Sequence, residues 1–290
     1  MKKAYTLFNA LCLVLIILLG FGTFLVVRGQ IKDWQRQKEK QNLPQMMHRE
    51  KNKKPQVTSS TVPNIPKNIL PTSTPIVVTS SVPVQVPTST IVAPPETPAE
   101  EKALPPSMNL NVPFTSQAPE KIWTQPWQDA CEEAVILMID AYYKDLTLSI
   151  SYAKEEIIKM VAYEEEKGWS RSIEIEKIQS LFEDYLKTEK SVKLVEDPTI
   201  EEIKKYIARG VPVYVVVDGK VLPNPNFRNG GPEYHALVIR GYTETEFITN
   251  DPGTQFGENF KYKYQDLMDS IRDWNGGEVK SGRRVVLVVE

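Results

Sequence analysis

The sequence predicts an α+β fold for the C-terminal part of the chain, because helical patterns come first there and strand patterns follow. From residue 129 to residue 210, apolar residues recur every three to four positions, as on amphipathic helices. From residue 211 onwards, short runs rich in Val and Ile stand between turn residues, as in Val211–Val217 and Arg284–Val289. Helices followed by strands favour a helical part packed against an antiparallel sheet.

The chain begins with a 23-residue run without charge, Tyr5–Val27. As a helix this run would be about 35 Å long, enough to cross an apolar membrane core of about 30 Å. A cleavable signal peptide is the alternative, but its apolar core usually has only about 7–15 residues, and no small-residue cleavage site follows this run. We therefore expect an uncleaved anchor in residues 1–28. Its orientation stays open, because basic residues flank both ends of the run.

Two segments separate the anchor from the predicted domain. Residues 29–54 are basic and polar, and they predict either a short helical stem near lipid head groups or a solvated chain. Residues 55–107 contain 12 of the 22 prolines, and proline removes backbone donors and favours extended conformations. We expect this segment to be a disordered tether that reaches up to about 160 Å and displays the domain outside the cell membrane.

Residues 108–290 form the predicted domain, which opens with a strand and a helix. Residues 110–114 alternate between apolar and polar side chains, as in a strand. A helix is expected from Asp129, because Asp129 and Glu132 have the spacing of a capping box.

Further helices are predicted after three candidate caps. Ser151 and Ser172 each precede apolar residues three to four apart. Thr199 and Glu202 form a second capping box, ahead of a helix that stops at Gly210. The remaining predicted elements are strands over residues 211–217, 235–240, 246–249 and 284–289, and a helix over residues 265–274.

The composition argues against several classes of function. A net charge of −2 with 25% charged residues gives no indication of a nucleic-acid partner. Two cysteines, of which Cys12 lies in the anchor, cannot build a disulfide framework. CxxC and HExxH motifs are missing, and the second histidine, His48, lies in the polar stem, so no metal or other cofactor is expected.

The predicted domain contains one cysteine, Cys131, and one histidine, His235. Cys131 falls near the second position of its predicted helix, where unpaired N–H groups and the helix dipole favour a thiolate, the reactive form. The alternative is a buried and inert core cysteine. Glu132 and Glu133 follow it directly, and neighbouring carboxylates disfavour an anionic sulfur.

His235 opens an apolar strand that can hold its imidazole against the helix of Cys131. Asp251 follows sixteen residues later, just past the next predicted strand, and would orient the imidazole and stabilise its cation. Asp251 could instead be only a turn former in Asp-Pro-Gly. Glu233 is a rival orienter, because it shares a strand face with His235. The loop over residues 219–233 is a candidate lid.

Acyl transfer also needs hydrogen-bond donors for the developing oxyanion. The backbone N–H of Cys131 is one candidate. The second would be a glutamine side chain upstream, for which Gln117, Gln125 and Gln128 are all available. Spacing alone does not choose among them.

These residues resemble papain-like cysteine peptidases, and among them cysteine peptidase family thirty-nine, known for peptidases that remove double-glycine leaders from bacteriocins. The resemblance covers residues 110–290 and is carried by VPFTSQ, DACEEA, EYHALVIRGY and ITNDPG. It implies a papain-like fold without a cofactor. It also implies that Cys131 is the nucleophile, His235 the base, Asp251 the orienting group and Gln117 the oxyanion donor.

The chain departs from the family pattern at two points. Glu132 stands where the family usually has glycine after the nucleophile. Several extra residues also separate Gln117 from Cys131, which leaves Gln125 open as the oxyanion donor.

The resulting expectation is a monomeric, membrane-anchored bacterial thiol hydrolase that cleaves peptide or isopeptide amide bonds outside the cell. Residues 5–27 would contact the membrane. Three alternatives stay open: a non-catalytic binding module on the same scaffold, a cell-wall amidase that acts on peptidoglycan stem peptides, and a tethered spacer protein whose globular part only docks partners.

Overall fold

The computed structural model describes residues 2–47 and 103–290, with side chains from Ile17 onwards apart from Leu19. Most of the predicted tether and the end of the predicted stem therefore lie outside the described residues. Of these described residues, 2–47 and 104–290 belong to one compact unit.

An antiparallel sheet forms the centre of this unit, and its interior strands are the Val- and Ile-rich runs of the sequence. Its strand order is β1-β2-β5-β4-β8-β3, with β6 paired to β5 and β7 paired to β6. Every pair is antiparallel except β1 with β2. The strands are β1 (Met46–Met47), β2 (Met108–Leu110), β3 (Val192–Glu196), β4 (Val213–Asp218), β5 (Tyr234–Tyr242), β6 (Glu246–Asn250), β7 (Phe260–Lys263) and β8 (Val285–Val289).

Helices flank this sheet, so the predicted combination of helices with an antiparallel sheet is confirmed. They are α1 (Lys2–Gln41), α2 (Cys131–Lys144), α3 (Ile150–Glu166), α4 (Ile175–Ser180), α5 (Ile200–Ala208) and α6 (Tyr264–Ser270). All residues of α2 except its last two are buried, and the helix packs on β5. Burial on nearly every face explains why α2 is apolar almost all round rather than along one stripe.

The predicted helix caps have different outcomes. The capping box at α5 is confirmed, because the Glu202 amide donates to Oγ1 of Thr199 at 3.2 Å and the Thr199 amide donates to Oε2 of Glu202 at 2.9 Å. The predicted caps of the two preceding helices are wrong. The side chain of Ser149, not Ser151, caps α3, and α4 begins after Glu174, not after Ser172.

The capping box predicted at Asp129 is also wrong. Trp127–Asp129 is a single 3-10 turn, and α2 begins only at Cys131 without a side-chain cap. The carboxylate of Asp129 instead accepts a 2.5 Å hydrogen bond from Nε2 of Gln125. Glu132 does not cap the backbone at Asp129, because its side chain is buried and accepts the hydrogen bond of the Cys131 thiol.

The N-terminal helix α1 extends beyond the predicted anchor into the predicted stem. Residues 29–41 are helical, and all of them except Arg36 are exposed. Among the side chains that the structure describes, no helix is apolar over a length that could cross a membrane. Much of the predicted span, residues 5–16 and Leu19, falls outside those side chains.

The end of the stem contacts the domain. The guanidinium of Arg36 lies 3.8 Å from the ring centre of Phe256, and Lys40 forms a 2.9 Å ion pair with Glu258. Strand β1 then pairs in parallel with β2, and the amide of Asn111 donates to the carbonyl of Met47 at 3.1 Å. The stem therefore covers the outer edge of β2.

Candidate active site

Cys131 is the first residue of α2, at the positive end of the helix dipole. At this position its backbone N–H has no acceptor within the helix. The side chain is only 5% exposed. Its sulfur lies beside the backbone N–H of Ala236, the residue that follows His235 on β5. The helix and the strand thus bring the candidate nucleophile next to the segment that carries the candidate base.

The thiol of Cys131 donates a 2.8 Å hydrogen bond to Oε2 of Glu132. Burial raises the pKa of the thiol well above its usual value, and the negative charges of Glu132 and Glu133 raise it further. Among the described residues, no hydrogen bond joins Cys131 to His235. The structure therefore holds a neutral thiol turned towards Glu132.

The candidate base and its orienter are joined directly. Nε2 of His235 lies 2.7 Å from Oδ1 of Asp251, and both side chains are almost completely buried. Burial favours the protonated carboxyl, but the charge and hydrogen bond of His235 and the hydrogen bond of Tyr262 outweigh it, so the pKa of Asp251 is lowered. Because Nε2 faces Asp251, Nδ1 is the nitrogen left for proton exchange. The rival orienter Glu233 is exposed.

The second oxygen of Asp251 is held by two residues that the sequence did not reveal. Oδ2 accepts a 2.5 Å hydrogen bond from the hydroxyl of Tyr262 and a 3.1 Å hydrogen bond from Nδ2 of Asn224. Asn224 and the Tyr262 hydroxyl are themselves 2.7 Å apart. Asn224 lies in the loop proposed as a lid, so this part of the loop is tied to the site. Aromatic residues and lysines alternate over Phe260–Lys263. This pattern predicts a strand with residue 262 on its inner face, and it was the sequence signal that could have pointed to Tyr262.

Phe227 and Gly253 enclose the imidazole. The ring of Phe227 meets His235 edge to face, with ring centres 5.3 Å apart. A methyl group at position 253 would lie 2.8 Å from Cε1 and 3.1 Å from Nε2 of His235. Glycine is therefore required there, because the backbone passes directly against the ring.

Gln117 lies beside the site, but the N–H groups of its side-chain amide already donate hydrogen bonds. Nε2 donates to the carbonyls of Trp127 and Gln128 at 3.0 and 2.9 Å. Its backbone N–H donates to the carbonyl of Pro252 at 3.0 Å. Gln117 thus links the turn before α2 to the residue after Asp251. The other two candidate donors, Gln125 and Gln128, are exposed.

Three buried glutamates, Glu132, Glu133 and Glu164, lie close to the candidate nucleophile, and only the adjacent pair was noted from the sequence. Burial raises the pKa of Glu132 to about 7 and that of Glu164, on α3, to about 8. Burial and the charges of Glu164 and Glu132 also raise the pKa of Glu133. Within the part of the chain that the structure describes, no group of three or more His, Cys, Asp or Glu side chains is placed to hold a metal ion.

Comparisons with known proteins give two results. A profile of the Peptidase_C39 like family matches residues 109–277, a range that includes Cys131, His235 and Asp251. Among solved structures, the chain is similar to a candidate C39-like peptidase from Bacillus anthracis, with 16% identity and a TM-score of 0.42. That alignment covers 62% of this chain and 94% of the other. No curated protein matches the chain. Because the profile spans more than half of its length, the chain belongs to the Peptidase_C39 like family.

Proposed function

We propose that the protein is a cysteine hydrolase that cleaves peptide or isopeptide amide bonds, with Cys131 as nucleophile, His235 as base and Asp251 as its orienting group. The observation that carries this proposal is the buried 2.7 Å contact between His235 and Asp251, on the strand that also lies against the sulfur of Cys131. This arrangement supports thiol-dependent acyl transfer, because it joins the candidate base to its orienting group and brings the neighbouring residue of the same strand next to the candidate nucleophile.

The reaction follows from the orientation of the imidazole. Nδ1 of His235 takes the thiol proton, and the thiolate attacks the carbonyl carbon of the amide. The imidazolium, stabilised by Asp251, then gives the proton to the leaving amine. A water molecule, deprotonated by the same nitrogen, hydrolyses the thioester, and the proton returns to the sulfur as the acid product leaves.

The oxyanion would be bound at the start of α2. The backbone N–H of Cys131 is free of an intrahelical acceptor and carries the positive end of the helix dipole. Gln117 is the proposed second donor, and it would have to exchange one of its two carbonyl partners for the oxyanion.

The described arrangement is a resting state in this proposal. The S–H of Cys131 is hydrogen-bonded to Glu132 rather than to His235, so this proton must turn towards the imidazole before proton transfer. Substrate entry would accompany this turn, because Cys131 and His235 are both buried.

Labelling of Cys131 tests the proposal. Full-length protein is treated with iodoacetamide at neutral pH, and modification of the peptide that contains Cys131 is followed by mass spectrometry, which separates it from Cys12. We expect His235→Ala to slow the labelling about tenfold or more, because the imidazole no longer accepts the thiol proton. Equal, slow rates in both proteins would contradict the proposal.

A non-catalytic binding module is the second candidate, and one observation favours it. The thiol is buried, has a raised pKa and makes its hydrogen bond to Glu132 rather than to the base. In that case iodoacetamide would not reach Cys131 in the folded protein, and labelling would require denaturant.

The substrate and location are also proposals. The apolar N-terminal run supports a membrane anchor with the domain outside the cell. A cell-wall peptide is then an alternative to a protein substrate. Incubation of full-length protein with purified wall material, followed by a search for new amine ends, distinguishes the two, with Cys131→Ala as the control.

A further inference from the structure

Glu132 occupies a chemically unusual position that the mechanism above leaves without a role. Its carboxylate accepts the hydrogen bond of the nucleophilic thiol at 2.8 Å, and the side chain is 2% exposed. Its second oxygen, Oε1, has no hydrogen-bond partner among the described residues. A buried carboxylate with an unpaired oxygen is poorly stabilised as an anion, so it gains a proton more readily than an exposed one.

Burial raises the pKa of Glu132 and outweighs its surroundings, which lower that pKa through the hydrogen bond from Cys131, the backbone N–H groups of Glu132 and Ile173, and the charge of His235. Ionisable groups face it from its own helix, from α3, from β4 and from β5, and only one of them can carry a positive charge. They are Cys131, Glu133, Glu164, Tyr214, Tyr234 and His235. Two of these neighbours, Glu133 and Glu164, are carboxyl groups whose pKa values are raised by burial and, further, by the charge of Glu132. His235 is the cation-forming group, and it attracts that charge only when protonated.

The two protonation states of Glu132 act oppositely on the sulfur. The ionised carboxylate accepts the thiol proton in a hydrogen bond and repels a thiolate, so the proton stays on Sγ. The neutral carboxyl can instead donate its own O–H to the sulfur, which stabilises the thiolate. The thiol proton is then free to pass to Nδ1 of His235, and the electron pair stays on the sulfur.

We propose that Glu132 is a proton gate for the nucleophile, in which the neutral carboxyl permits the Cys131 thiolate–His235 imidazolium pair and the ionised carboxylate keeps the enzyme at rest. Glu132 keeps its own proton throughout the reaction. This inference rests on the proposed function, because it assigns a control to the same nucleophile.

The gate predicts an inverted pH dependence. Burial raises the pKa of Glu132 to about 7, so the carboxyl is mostly neutral below that pH and mostly ionised above it. Reactive thiolate should therefore decrease as the pH rises through this value. An ordinary free thiol behaves in the opposite way, since its thiolate fraction grows about tenfold per pH unit below its pKa.

The test compares iodoacetamide labelling of Cys131 in four full-length proteins: wild type, Glu132→Gln, Glu133→Gln and His235→Ala. From about pH 6 to about pH 8, the wild-type rate should fall about tenfold. Glutamine donates an amide N–H to the sulfur but does not titrate. Glu132→Gln should therefore show a level profile, and at about pH 8 its rate should exceed the wild-type rate about tenfold. Glu133→Gln is the matched control, because it removes a neighbouring carboxylate that makes no hydrogen bond to Sγ, and it should keep the inverted profile.

The outcomes separate this inference from the function on which it rests. If His235→Ala slows labelling but Glu132→Gln has the wild-type profile, the gate is wrong and the hydrolase proposal survives. If His235→Ala has no effect at any pH, the hydrolase proposal fails. Thermal unfolding of each variant is measured in parallel. At about pH 8, where wild-type Glu132 is mostly ionised, Glu132→Gln should unfold at no lower temperature than wild type, because it removes a desolvated charge. A rate change in a variant that melts early would count against the gate.

Discussion

Asp251 accepts hydrogen bonds on both carboxylate oxygens, and this bonding fixes its orientation. Oδ1 faces His235 and the backbone N–H of Gly253, while Oδ2 faces Tyr262 and Asn224. A buried carboxylate with donors on each oxygen stays ionised and cannot rotate away from the imidazole. Tyr262 and Asn224 therefore act through Asp251 and are positioning residues.

Replacing Tyr262 with phenylalanine removes one donor and keeps the ring. The hydroxyl of Tyr262 helps to hold the pKa of Asp251 below its usual value, so its loss should raise that pKa. Asp251 must be ionised to support the imidazolium. With a higher pKa, Asp251 becomes protonated at a higher pH, so the loss of Cys131 labelling on acidification should begin at a higher pH in the variant than in wild type. We also expect an overall rate about tenfold lower, as for loss of a hydrogen bond to a charged group.

Tyr264→Phe is the matched control for this experiment. The Tyr264 hydroxyl donates to the carbonyl of Thr243, away from Asp251. An unchanged pH profile in Tyr262→Phe, or the same shift in both variants, would show that Tyr262 does not position Asp251.

The sequence identified the candidate nucleophile, base and orienter because the first two are the only residues of their type in the domain and Asp251 follows a predicted strand. It did not reveal Tyr262, Asn224 or the role of Glu132. Tyrosine and asparagine are common residues, and their contacts with Asp251 depend on the pairing of β6 with β7 and on the path of a loop. The spacing of residues along the sequence predicts neither this strand pairing nor the path of the loop.

At the scale of elements, local chemistry explains the start of α5 but not that of α2. Thr199 and Glu202 are exposed and cap their helix reciprocally. Asp129 and Glu132 have the same spacing, yet burial directs Glu132 to the thiol of Cys131. Tertiary contacts outweigh a cap, whose contribution is typically about 1 kcal/mol.

Thr199→Ala tests the cap that did form. Loss of the Thr199 hydroxyl leaves the Glu202 amide without its acceptor, and we expect the free energy of unfolding to fall by about 1 kcal/mol. Urea unfolding at neutral pH measures the change. Thr245→Ala is the control, because this threonine is exposed and outside a helix cap, and its effect should stay within about 0.5 kcal/mol. Equal losses in both variants would contradict the assignment.

The strands differ in how well local sequence predicts them. Strands β4, β5 and β8 were predicted because they are buried throughout and rich in β-branched residues. Strands β3 and β7 were missed. Both carry lysines and exposed positions, and their strand conformation comes from pairing with β8 and β6. The conformation of such edge strands depends more on pairing with the neighbouring strand than on the β propensity of their own residues.

For the whole molecule, the buried acids determine how stability depends on pH. In the folded chain, burial raises the pKa of Asp273 to about 6, of Glu132 to about 7 and of Glu164 to about 8. These values lie above the unfolded values, so the folded state binds these protons more tightly. The stabilisation is complete below about pH 4 and is lost as the pH rises through the folded pKa values.

We therefore expect the free energy of unfolding to decrease from about pH 5 to about pH 8, with a slope of up to about 1.4 kcal/mol per pH unit for each group that titrates. Urea unfolding at several pH values measures this slope. Glu164→Gln should stabilise the protein at the alkaline end and flatten the dependence. Glu166→Gln, an exposed change on the same helix, should leave the slope unchanged. A stability that is level or rising over this interval would contradict the assignment.

The parallel pairing of β1 with β2 has a practical consequence for producing the protein. If the first 47 residues are deleted, the amide of Asn111 loses its acceptor on Met47, and β2 becomes a bare outer strand with unmet backbone donors and acceptors. Exposed edge strands of this kind can pair with one another between molecules. Dimers or aggregates seen only in such a shortened protein would thus reflect the missing partner strand rather than a native quaternary structure.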